Sequence, residues 1–134
     1  MKTVLADTNI FLRFLTKDIL PQAQLVRKRI EEAREGKYRL VVLHVTIVEI
    51  LYQLVNRYHY SRKEAADKLL LLFSPIWMDL EDKPVVFDAL EAYKTSRIDF
   101  VALIIWASAN DRGMKILSFD RDFDKLTPKL RLAP

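Results

Sequence analysis

Four carboxylates, Asp7, Glu49, Asp99 and Asp120, stand where their surroundings suit chemistry. The chain has few other reactive side chains. It has no cysteine, which removes disulfides, thiolate metal sites and thiol nucleophiles together. Its two glycines, Gly36 and Gly113, are isolated, so no glycine-rich loop can cradle a phosphate and no dinucleotide fingerprint exists. The two histidines, His44 and His59, read as residues of a strand–helix junction and a helix end rather than as a base or a metal ligand. Any chemistry here rests mainly on carboxylates.

Asp7 closes the stretch Thr3-Val4-Leu5-Ala6-Asp7-Thr8-Asn9, a short apolar run that reads as a buried strand. Ile10, Phe11, Phe14 and Leu15 follow at helical spacing. Asp7 thus stands where a strand hands over to a helix, a place that suits either a helix cap or a residue facing a ligand. Asp120, in Ser118-Phe119-Asp120-Arg121-Asp122-Phe123, follows a second apolar run and has the same two readings. Asp99 opens a strongly apolar helix and suits an N-cap. Glu49 falls opposite the apolar arc of its helix, beside Tyr52, Gln53 and Asn56, where a solvent-facing glutamate would also lie.

The elements that must position these residues alternate along the chain. Asp18 and Pro21 open a second helix with an apolar stripe of Ala23, Val26, Ile30 and Ala33, which Gly36 ends. Tyr38 to Leu43 reads as a strand, and Val45 to Tyr58 as a long helix. Ser61 and Glu64 form a capping box for the next helix, Pro75 stops it, and Ile76-Trp77-Met78 reads as a third strand. Asp82 and Pro84 start another helix. The helix from Phe100 is apolar on every side, which predicts full burial, and Gly113 ends it. Lys115 to Ser118 is a fourth strand, a short helix spans Arg121 to Leu126, and Leu130 to Leu132 adds an edge strand. Strands alternating with single or paired helices predict right-handed crossovers and a parallel sheet covered on both faces. One three-layer α/β/α domain over residues 1–134, with four to five parallel strands, is the expectation. At 134 residues the chain is long enough for a substantial core. A net charge of +4 and a pI near 9.4 fit a polyanionic partner. No apolar run is long enough to span a membrane and no signal-like start is present, so a cytoplasmic protein without a membrane partner is expected.

Taken together, D-T-N after a first strand, V-E-I-L-Y-Q-L, D-F at the start of an apolar helix and S-F-D-R-D-F after a late strand resemble the PIN-domain family. The similarity is greatest to its small prokaryotic members, the VapC-type toxins. It covers the whole chain in length and element order. The resemblance implies a parallel five-stranded sheet, acidic residues gathered in one cleft, and Mg²⁺- or Mn²⁺-dependent endoribonuclease activity. It also implies a cognate antitoxin and a homodimer. By motif, Asp7, Glu49 and Asp120 match three family acids, with Asp122 a further contributor to the metal. Thr8, Asn9 and Ser118 would be polar support, and Arg121 would meet RNA phosphates. One departure matters. The family commonly has an aspartate three residues after the position of Asp99, where this chain has Ala102. Either Asp99 supplies the third carboxylate, or the chain is a catalytically impaired PIN-like protein that binds RNA or antitoxin. A phosphatase of the haloacid dehalogenase type also has an aspartate after its first strand, but needs a second one two residues on, where Asn9 stands. The acidic pair and late lysine of a phospho-receiver are not found.

Overall fold

The computed structural model describes residues 2–134 and divides by its internal contacts into two compact units, one ending at Lys83 and one running from Pro84 to Pro134. In the first, β1 (Thr3–Leu5), β2 (Arg39–Val42) and β3 (Met78–Leu80) form a parallel sheet with β2 in the middle. Val4 pairs with Leu40, and Leu40 with Met78. Parallel neighbours need crossovers, and helices supply them here. Helices α1 (Thr8–Thr16) and α2 (Leu20–Arg34) join β1 to β2, and α3 (His44–Asn56) and α4 (Arg62–Leu72) join β2 to β3. α1 packs on α2 and on α3, and α3 packs on α4. The interior is built from Phe11, Leu12, Ile47, Ile50, Leu51, Leu54, Leu69 and Phe73, all essentially inaccessible to solvent. Phe11 and Phe73 meet edge to face at 5.1 Å between ring centres, the arrangement that the ring quadrupoles favour.

Local signals account for some of the helix ends. α4 carries the expected capping box: the Glu64 N–H donates to the Ser61 hydroxyl at 3.1 Å, and the Ser61 N–H to the Glu64 carboxylate at 3.4 Å. Gly36, at φ +83°, takes the left-handed turn after α2. Asp18 does not cap α2, whose N-cap position belongs to Ile19. Its carboxylate instead accepts from the Tyr58 hydroxyl at 2.7 Å and the Thr16 hydroxyl at 3.0 Å, and pairs with Arg13 at 3.4 Å. Those bonds tie the end of α1 to the chain just past α3. The third strand lies two residues later than the expected Ile76–Met78. Pairing with β2 buries Met78 and Leu80 at a spacing of two and turns Asp79 toward the Arg39 guanidinium, while Ile76 is 97% exposed. Apolarity alone pointed to Ile76; the pairing register selected Met78.

The second unit contains nearly all of α5 (Lys83–Thr95), then α6 (Phe100–Arg112), β4 (Ile116–Leu117), α7 (Asp122–Leu126) and β5 (Arg131–Leu132). β4 and β5 pair in parallel, Ile116 with Arg131 and Leu117 with Leu132. Ala109, Ile116 and Phe123 form a small buried cluster, against which Ala102, Trp106, Leu126 and Leu130 pack. The Trp106 indole N–H donates to the Thr127 hydroxyl at 2.9 Å. α6 is not buried all round as expected. Phe100, Leu103, Ala107 and Ala109 are buried, whereas Val101 and Ile105 are 49% and 47% exposed. Gly113, at φ +65°, ends α6 in the left-handed region. The expected α/β class with parallel strands therefore holds, and hydrogen bonding assigns the strands to a three-stranded and a two-stranded sheet.

Phe11→Ala should cost about 3–5 kcal/mol in urea unfolding, because it empties the centre of the first unit and removes the ring pair with Phe73. A second outcome concerns pH. The Tyr58 hydrogen bond, opposed by desolvation and helped by Thr16 and Arg13, holds the Asp18 carboxyl below its ordinary value of 3.8. A depressed carboxyl stabilises the fold above its unfolded value, and this contribution fades as pH falls through the folded one. Carbon-detected NMR titration of Tyr58→Phe should find Asp18 titrating closer to 3.8. An unmoved midpoint would show that the hydroxyl is not the dominant cause.

Candidate functional site

Asp7 leaves the end of β1 and occupies the N-cap of α1, with extended backbone at φ −91° and ψ 162°. Its carboxylate accepts the Thr8 N–H at 2.8 Å and is exposed. Thr8 and the exposed Asn9 are the first residues of the helix. Glu49 stands in the second turn of α3, exposed, and accepts from the Gln53 side-chain amide one turn on at 3.0 Å. The helices that carry these two acids pack against each other. Both follow adjacent parallel strands, so both start from the carboxyl edge of one sheet, the edge where α/β folds bind ligands.

That edge also brings together residues that their sequence spacing did not connect. His44, Glu81 and Asp82 bring an imidazole nitrogen and two carboxylate oxygens within 4.8 Å of one another. His44 is at the strand–helix junction, as expected. Glu81 accepts from the His44 backbone N–H at 3.2 Å and also contacts the ring at Nδ1. The backbone bond first, then the ring, holds the Glu81 carboxyl below its ordinary value of 4.5. A histidine directly after an apolar strand is a signal visible in the sequence; its acidic partner, 37 residues away, is not.

In the second unit, Asp99 sits at the N-cap of α6 but makes no side-chain capping bond. The expected cap is thus absent, and only the Asp99 carbonyl engages the helix, accepting the Leu103 N–H at 3.1 Å. Ala102 lies one turn into α6, half-buried against the cluster of Ala109, Ile116 and Phe123. Ser118, Asp120 and Asp122 are brought together in one turn after β4. The Asp120 N–H donates to the Ser118 hydroxyl, and the Asp122 N–H to the Asp120 carboxylate, each at 2.9 Å. Asp122 pairs with Lys125 at 3.0 Å. Arg121, exposed, holds the N-cap position of α7. The Arg131 guanidinium braces this turn, pairing with Asp124 at 3.1 Å and donating to the Ser118 carbonyl at 3.0 Å. Arg131 was not singled out from sequence, since its role depends on the pairing of β5 with β4.

The donor chemistry fits a hard divalent cation. Asp7 and Glu49 in the first unit, and Asp99 and Asp120 in the second, are each exposed carboxylates, and Mg²⁺ or Mn²⁺ takes oxygen ligands of this kind. The Asp99 carboxylate is not engaged in capping its helix.

Among the described residues no helix is long and apolar enough to cross a membrane. No solved structure gives a significant match to the chain. A VapC ribonuclease from Aquifex aeolicus (strain VF5) is 25% identical over 123 residues, covering 91% of this chain and 90% of that protein. The family model of the PIN domain matches residues 4–128, nearly the full length, and the chain therefore belongs to the PIN domain family.

Proposed function

We propose that this chain is a divalent-metal-dependent endoribonuclease that cleaves RNA phosphodiester bonds, and the toxin of a type II toxin–antitoxin pair. The observation that carries this reading is the similarity to a VapC ribonuclease over nine-tenths of both chains. The ordered acids support it, because the chain offers carboxylates at helix starts and no thiol to compete with them. In this reading residues 1–134 act as one PIN-like domain in the cytoplasm, as a homodimer, held in check by an antitoxin.

Asp7, Glu49, Asp99 and Asp120 would hold Mg²⁺ or Mn²⁺, with Asp122 a further contributor. The bound cation would supply Lewis acidity, activating water near neutral pH and offsetting charge on the phosphate. Thr8, Asn9 and Ser118 would be polar support for the acids: the Thr8 N–H donates to the Asp7 carboxylate, and the Ser118 hydroxyl accepts the Asp120 N–H. Arg121 would meet a phosphate of the RNA, adding to the sequence-independent attraction that basic side chains provide.

Ala102 favours a second reading, a PIN-like protein that binds RNA or antitoxin but cleaves poorly. The methyl group packs on an apolar cluster and offers no ligand.

The chain should cleave a mixed single-stranded RNA pool with Mn²⁺ or Mg²⁺ and lose that cleavage in EDTA. Asp7→Asn should reduce the rate by more than the ~10–100-fold that losing an outer-sphere partner costs. No cleavage with either metal would overturn the nuclease reading. Ala102→Asp, with its fold checked by circular dichroism, separates the alternatives. Unchanged cleavage is expected if Asp99 suffices, and a gain of tenfold or more in rate or Mn²⁺ affinity would mark an impaired site.

A further inference from the structure

α3 begins without a capping side chain of its own. Its N-cap is Leu43, whose carbonyl accepts the Thr46 N–H at 3.0 Å but whose side chain has no oxygen to offer the other free amides of the first turn. The missing acceptor comes from the neighbouring strand. Glu81, directly after β3, donates its own N–H to the Val42 carbonyl at 2.9 Å, extending the β2–β3 ladder by one bond. Its carboxylate then reaches back to the His44 amide at 3.2 Å and to the His44 ring. One residue therefore fastens the register of two strands and the first turn of the helix that follows. A carboxylate at that end also meets the positive pole of the helix.

We propose that Glu81 is a positioning residue for Glu49, capping α3 from the neighbouring strand and so setting where the Glu49 carboxylate points. Glu49 is five residues past His44, about 7.5 Å along the helix axis at 1.5 Å per residue. A helix start that frays or rotates displaces the side chains of its second turn, and metal ligands tolerate little displacement. His44 completes the clamp by holding the Glu81 carboxylate against the helix end. This rests on the reading of Glu49 as a metal ligand; the clamp itself stands on the hydrogen bonds alone.

The test uses the full-length chain, Mn²⁺ titration by calorimetry and amide exchange by NMR. Glu81→Ala should speed exchange at His44, Val45 and Thr46 and weaken Mn²⁺ binding about fivefold, the scale of a lost helix cap. Glu81→Gln, which keeps an acceptor oxygen, should restore most of both. In a Glu49→Gln background, Glu81→Ala should have no further effect on Mn²⁺ affinity. Unchanged exchange in Glu81→Ala would overturn the clamp, whatever the chain's activity. Normal Mn²⁺ affinity despite faster exchange would overturn the positioning role. Additive losses in the double variant, without rescue by Gln, would show that Glu81 itself binds the cation. If the unaltered chain binds no Mn²⁺, the ligand reading of Glu49 falls, and the positioning role with it.

Discussion

Parallel pairing of β1, β2 and β3 is the constraint on which the rest of the first unit depends. Parallel strands all end at one edge, and each must be followed by a crossover that returns the chain to the opposite edge. The helices that begin those crossovers start at the same edge, so whatever occupies their first turns is gathered there without any long-range design. Asp7 at the start of α1, His44 and Glu49 in the opening turns of α3, and Glu81 just after β3 are all there for this reason. The apolar centre made by Phe11, Ile47, Leu54 and Phe73 holds the helices on the sheet and fixes where those starts fall.

A carboxylate at a helix start has two demands on it. It can satisfy the free amides of its helix, or it can face solvent and ligands. The chain divides these tasks. Ser61 and Glu64 cap α4 reciprocally, at a helix with no assigned chemistry. Asp7 accepts only the amide next to it, and Asp99 makes no capping bond. Asp120 spends an oxygen on the turn that leads into α7. α3, which carries Glu49, takes a cap from Glu81, just after β3. Glu49 is exposed in the second turn of that helix.

Ala102 shows how a change at one helical position can be absorbed by packing. Its methyl group adds to the apolar cluster of Ala109, Ile116 and Phe123. An aspartate there would bring a carboxylate to the margin of that cluster, where burial disfavours its charged form. The fold therefore gains little by keeping an acid at this position.

The sequence by itself determined the features that depend on near neighbours. The helices among the described residues, the capping box at Ser61, the stop at Gly113 and the handover from strand to helix at Asp7 all follow from residues within a turn or two. The parallel α/β class follows from their alternation. Tertiary structure decided what depends on pairing across distance. The register of β3 moved the third strand from Ile76 to Met78, because burial at a spacing of two outweighed local apolarity. Asp18 was drawn from its expected cap to Tyr58, 40 residues on, and Glu81 to His44, 37 residues back. A hydrogen bond needs a donor and an acceptor within about 3 Å, and only the folded chain brings residues so far apart in sequence to that distance.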